Sequence, residues 1–349
     1  MNRNCPPNLL QDRRCRIQDK MIDTQNLPRV LAPYRQSNHP RALFELAITL
    51  LPLIGLWVLM WLSLDVGYWL TLLLAIPAAG LVLRLFMIQH DCGHGTFFGH
   101  KLANDWLGRV LGIVTLTPYD YWKRNHAIHH ATSGNLDRRG IGDIETLTVE
   151  EYKARGPVGR FFYRCYRNAF VMFGIGPAYL FLLQHRLPFF QMRDGWRPWL
   201  STMATNAGIG LFVVGMILLV GPWAFISIHL PIILAAASMG VWLFYVQHQF
   251  ENVDWKRNRD WSHSDAALAG SSYYDLPLVL RWFTANIGVH HVHHLSSRIP
   301  FYRLQHVLRD YPELKKVHRL TILESLRSVH LSLWCESSGR LISFKDGIS

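Results

Sequence analysis

The chain has 349 residues, 50% of them hydrophobic and only 17% charged, with a formal net charge of +12. Soluble domains usually carry about 25% charge, and the apolar residues here fall in blocks, which excludes a disordered chain and points to a membrane protein. In such a chain the positive balance reflects loop charges beside anionic lipid headgroups, so no nucleic-acid partner is expected.

Residues 1–42 are polar and Arg-rich and lack the apolar core of a signal peptide, so they read as a polar cytoplasmic N-terminal segment. Two apolar runs follow, 43–64 (LFELAITLLPLIGLWVLMWLSL) and 67–88 (GYWLTLLLAIPAAGLVLRLFMI). Each reaches the roughly 20 residues that a helix needs to cross a bilayer core. At the end of the second run the sequence reads QHDCGHGTFFGH, where His90 and His94 are spaced i, i+4 and so share one helical face.

The stretch 105–117 (DWLGRVLGIVTLT) is apolar but too short to span and is expected at the interface. Next comes PYDYWKRNHAIHH, whose His126, His129 and His130 at offsets 0, 3 and 4 put three imidazoles on one face. A further apolar stretch, 169–184 (AFVMFGIGPAYLFLLQ), is broken by Gly174, Gly176 and Pro177. A full crossing there would strand later histidines across the bilayer, so it too is read as interfacial.

A second hairpin is expected from runs 203–220 and 223–247, and His248 follows in FYVQHQFEN. The segment NIGVHHVHHLSSRIP repeats the earlier offsets with His290, His293 and His294, while His291 points about 100° away. The links within the two hairpins hold no Lys or Arg, whereas the outer flanks carry Arg35, Arg41, Arg84, Lys101, Arg186, Arg197, Lys256 and Arg257. The positive-inside rule then places both termini and every histidine cluster in the cytoplasm. The expected fold is an all-α integral membrane protein: four transmembrane helices in two hairpins, interfacial helices and a cytoplasmic helical cap. Its membrane domain covers 43–310, and 311–349 is read as a cytoplasmic tail.

Eight imidazoles in three clusters exceed the four ligands of one tetrahedral zinc and suffice for two metals. No Glu-x-x-His pair of the soluble di-iron bundles occurs, so the site is expected to be histidine-rich and dinuclear. His248 is a ninth candidate ligand; His100 and His291 are expected to act outside the ligand set. Asp91, Asp120, Asp137, Asp143 and Glu251 lie close to the clusters in sequence, and Asp91 and Asp143 are the preferred acceptors for outer imidazole N–H groups.

The pattern H-x-x-x-H, H-x-x-H-H, H-x-x-H-H, with two spans before the last, resembles the membrane fatty-acid desaturases. HDCGHGTFF, PYDYWKRNHAIHH, NIGVHHVHHLSSRIP and VQHQFE resemble the Δ12 (ω6) and ω3 acyl branch, and GNLDRRGIGDIETLTVEEY its bacterial members. Carried over residue by residue, the resemblance implies His90, His94, His126, His129, His130, His290, His293 and His294 as ligands of two iron ions, with His248 matching a further family histidine. Phe244 stands where stearoyl-CoA desaturases of the wider family have an asparagine.

The implied reaction uses O2 and two electrons to introduce a cis double bond into a fatty-acyl chain, linked to lipid, CoA or acyl-carrier protein. With no haem-binding domain, dinucleotide fingerprint or cysteine cluster in the sequence, electrons are expected from a separate donor such as ferredoxin or cytochrome b5. Phe97, Trp122 and Trp282, together with Phe98, Trp106, Tyr119 and Phe283, are candidates to line the acyl channel. Alternatives within the superfamily are a hydroxylase, epoxygenase or ketolase of lipid or carotenoid. A metal or haem transporter would instead place ligands inside the spans, where only His229 lies well within one. The expected location is the inner membrane if the chain is bacterial.

Overall fold

The computed structural model describes residues 26–348; most of the polar N-terminal segment lies outside that range. Four of its helices are long and apolar enough to cross a membrane. These are α1 (His39–Ser63), α2 (Tyr68–His94), α6 (Trp196–Val220) and α7 (Pro222–His248). Helix α1 starts cleanly because the Asn38 side chain accepts the Arg41 amide, and Ser63 at its end meets Thr71 of α2 across the tight link.

All four helices overrun the expected spans at one end or both, and the overrun of α2 matters most. Helices α2 and α7 each have 27 residues, or about 40 Å at about 1.5 Å per residue. That exceeds a hydrocarbon core of about 30 Å. The polar residues after 88 end the hydropathy signal but not the helix, so α2 runs six residues further and carries His90 and His94 in its last turns, whereas α7 ends at His248, one residue past its expected span. Gly95 in the left-handed conformation (φ 70°) then terminates α2. Helix α2 packs on both α1 and α7 and is the most buried of the four, whereas α6 leaves Leu211, Leu218 and Leu219 on the outside.

The two short apolar stretches stay at one end of this bundle. Helix α3 (Lys101–Val114) packs against α2 and exposes Leu102, Trp106 and Val110. The stretch read as 169–184 forms a π-helical turn (Val171–Ile175), a short helix (Gly176–Leu182) and a 3₁₀ turn (Gln184–Arg186). Phe173 at one end packs on Trp242 and Tyr245 of α7, and Phe181 at the other on Phe86 of α2. Both ends therefore meet the same, histidine-bearing end of the bundle.

The cap is built from α4 (Tyr119–Thr132), α5 (Pro157–Tyr166), α8 (Leu278–Phe283), α9 (His290–Leu295) and α10 (Phe301–Asp310). Short strands join it: β1 (Leu147–Thr148), β2 (Tyr273–Tyr274), β3 (Arg319–Leu320), β4 (Leu333–Cys335) and β5 (Arg340–Ile342). Strand β4 pairs parallel with β1 (Leu147 opposite Leu333) and antiparallel with β5; β2 pairs parallel with β3. Segment 311–349, read as a tail, thus supplies three strands that tie the cap together.

Helix α5 escaped the sequence reading. It turns Tyr163 into a second small core with Leu147, Leu333 and Ile342, and leaves Val158, Phe161 and Phe162 exposed on the other side. Arg84, read among the flanking charges at the end of the second span, is buried within α2.

Candidate metal centre

Four helices bring nine imidazoles to one place. One ring nitrogen of each can join one of two sets, His90, His94, His126, His130 and His293, or His129, His248, His290 and His294, and within each set the nitrogens lie within 4.8 Å of one another. The offsets 0, 3 and 4 put three rings on one face, and that face is divided: in α4 the i, i+4 pair His126 and His130 serves the five-histidine set while His129 turns to the other. In α9 the roles reverse, with His290 and His294 in the four-histidine set and His293 in the five. Each H-x-x-H-H helix is shared between two centres.

The spacing of the nitrogens fits metal ions. In the first set consecutive Nε2 atoms are 3.3 Å (His90 to His94), 3.1 Å (His94 to His126), 3.1 Å (His126 to His130) and 3.2 Å (His130 to His293) apart. Ligands held about 2.1 Å from one ion lie about 3.0–3.4 Å apart at right-angled to tetrahedral openings. In the second set His129 and His290 approach the His248 Nε2 at 3.1 and 3.0 Å.

The outer nitrogens of two rings in the four-histidine set are hydrogen-bonded so as to aim their Nε2 atoms inward. The His129 Nδ1–H donates to Asp143 at 2.6 Å and the His248 Nδ1–H to the Gly270 carbonyl at 3.1 Å. A neutral imidazole carries one N–H, so if both rings are neutral their Nε2 atoms face each other across 3.1 Å with no hydrogen between them. A metal cation between the two nitrogens satisfies both, as does a proton on one of them. Burial, reinforced by neighbouring imidazoles, also pushes His126, His130, His290, His293 and His294 well below the ordinary histidine range. Neutral imidazole is the form that ligates metal.

Asp91 lies with one oxygen 3.3 Å from the His90 Nδ1 and takes the Phe301 amide, an orphan donor at the start of α10, on the other at 2.7 Å. Asp120 pairs with Arg109 and Asp137 with Arg257, so neither reaches an imidazole. His100 precedes α3 beside His39, and the His291 Nε2–H donates to the Leu314 carbonyl at 3.0 Å, away from both sets. Asp143→Ala should therefore weaken metal binding by about 10–100-fold, the usual effect of losing such an outer partner. Asp120→Ala should leave it unchanged, and metal titration of the two variants checks this.

The aromatic candidates divide. Trp122 stacks on His126 with ring centres 4.6 Å apart, in a space that a Cβ on Gly93 would fill. Phe97 is fully buried between Phe98 and Phe301, and Trp282 lies over the Arg84 guanidinium. None of the three lines the pocket that opens beside the four-histidine set, where Asp143, Phe244, His248 and Gln249 form part of the wall. Phe244 stands out in sequence only through the family resemblance, and Gln249 carries no signal that separates it from ordinary span-end residues.

A family model described as fatty acid desaturase matches residues 67–324. A fatty acid desaturase of Bacillus subtilis (strain 168) is 44% identical over 321 residues, which is 92% of this chain and 91% of that protein. An sn-1 oleoyl-lipid 12-desaturase of Synechocystis is 28% identical over 222 residues (63% of this chain, 62% of the relative). An sn-1 acyl-lipid omega-3 desaturase (ferredoxin) of the same organism is 29% identical over 235 residues (63% and 61%).

Proposed function

This chain belongs to the fatty acid desaturase family, and from that premise we propose that it is an O2-dependent acyl desaturase of Δ12/ω6 type holding two irons, one in each histidine set. The observation that carries the reading is the nine-imidazole cluster, in which the Nε2 atoms of His129 and His248 face each other at 3.1 Å while their Nδ1 atoms meet Asp143 and the Gly270 carbonyl. Only a redox-capable metal suits the chemistry, because a methylene C–H has no acidic proton for a general base to take.

The overall reaction converts an acyl –CH2–CH2– unit, O2, two electrons and two protons into a cis double bond and two waters. Two bound irons would supply the oxidising power for both C–H cleavages. The chain's own residues hold and shield: Asp143 and the Gly270 carbonyl fix the tautomers of His129 and His248, and Phe244, packed 5.0 and 5.3 Å from those two rings, keeps water off them. Trp122 does the same for His126. Electrons come from a separate donor of the ferredoxin or cytochrome b5 class, and the substrate is an acyl chain carried by a membrane lipid.

Gas chromatography–mass spectrometry of a host expressing the chain should reveal a new cis double bond, and the purified protein should hold about two irons. A hydroxy, epoxy or keto product would move the chain to another reaction of the superfamily, and one zinc without iron would overturn the metal assignment. We place both sets on the cytoplasmic face of the inner membrane. Single cysteines at the exposed Val66 and Trp223 should then react with an impermeant thiol reagent from outside, and cysteines at the exposed Arg138 and Arg298 only once the membrane is opened. Outside labelling at Arg298 alone would break the shared site.

A further inference from the structure

Arg84 is 2% exposed and lies in α2, six residues before His90. Its guanidinium pairs with Glu45 of α1, donates from Nε to Thr49 Oγ1 at 3.1 Å and from Nη1 to the Trp282 carbonyl, and lies 4.4 Å over the Trp282 ring and 5.3 Å from that of Phe301. Glu45 is itself buried and also takes Arg41 at 2.6 Å. A charge pair within spanning helices is costly, and apolar residues of equal volume would pack at least as well. What an arginine adds is direction: a rigid fork whose donors address several segments at once.

The segments addressed flank the last histidine cluster. Trp282 precedes it, and its carbonyl also receives the Ala285 amide, at the start of two consecutive left-handed residues, Ala285 (φ 49°) and Asn286 (φ 57°). Phe301 follows it, and the Phe301 amide binds the same Asp91 that faces His90. On its other side the cluster is tied to α7 independently: the Gln247 side chain donates to the Ile287 carbonyl at 3.1 Å, and Ser272 links Gln247 to His291 through backbone hydrogen bonds. Arg84 and Asp91 therefore secure α9 to α2, while Gln247 and Ser272 secure it to α7. Helix α2 contributes ligands only to the five-histidine set, and α7 only to the four.

We propose that Arg84, held by Glu45, is a positioning residue that sets His293 against His90 and His94 and so shapes the five-histidine centre but not the other. The inference rests on the two-iron reading. Two variants test it: Arg84→Lys, which keeps the charge beside Glu45 but loses the fork, and the double change Glu45→Met with Arg84→Met, which leaves no buried charge unpaired. Both should stay in the membrane as folded protein, yet iron should fall from about two to about one per chain. Mössbauer spectra should lose the component of one site and keep that of the other. Two irons with an unchanged spectrum would overturn the proposal, as would equal loss of both components or failure of both variants to fold, since the pair would then serve the fold alone. A parent protein without two irons would instead sink the metal reading itself.

Discussion

Alanine at His248, His290 or His294 should remove one iron and leave the other, and alanine at His90, His94 or His293 should do the converse, with product formation abolished in every case. The expectation follows from the division of the nine rings into five and four. Each change deletes one donor from one centre, whereas the reaction needs both. Iron analysis with Mössbauer spectroscopy on each variant separates the two losses, and the same component disappearing from both groups of variants would mean that the division is wrong. His291→Ala is the control: it should keep both irons and lose roughly 1–3 kcal/mol of stability through the unpaired Leu314 carbonyl.

Gly288→Ala should be as damaging although the residue binds nothing. A Cβ there would stand 2.4 Å from the Tyr274 carbonyl oxygen, and the Gly288 carbonyl takes the Tyr274 amide at 2.7 Å, so the two backbones are already pinned together. No rotamer change relieves a clash with main chain. The strand of Tyr274 or the start of α9 has to move, at a cost of at least about 1–3 kcal/mol and with displacement of His290 two residues on. Thermal denaturation and iron content should both fall, whereas Gly55→Ala and Gly215→Ala, with open space around them, should change neither. Normal iron in Gly288→Ala would show that α9 is not seated as closely on Tyr274 as described.

Much of this was legible in the sequence because hydropathy and histidine spacing are local signals. The four long apolar helices, the shorter apolar segments beside them and the nine candidate rings are all read from windows of a few turns. The sharing of α4 and α9 between two centres is not local. It arises where α2, α4, α7 and α9 cross, and a helical wheel drawn for one segment cannot show that adjacent residues face different partners. Asp143 could be singled out by its nearness to the second cluster, but Gly270 contributes through a main-chain carbonyl, to which side-chain patterns are blind. Arg84 reads only as a flanking charge because its partner Glu45 lies 39 positions earlier. Strands of two or three residues are too short to show any alternation.

His129 and His130 are neighbours in sequence with ring centres 5.7 Å apart, and His293 and His294 repeat the arrangement at 5.9 Å. Each pair hands one ring to each histidine set, so consecutive residues of one helix serve both. Exchanging side chains around the site can retune either set by itself. A shift of the α4 or α9 backbone instead reaches both sets together, because neither helix can move a residue of one set without carrying its neighbour in the other.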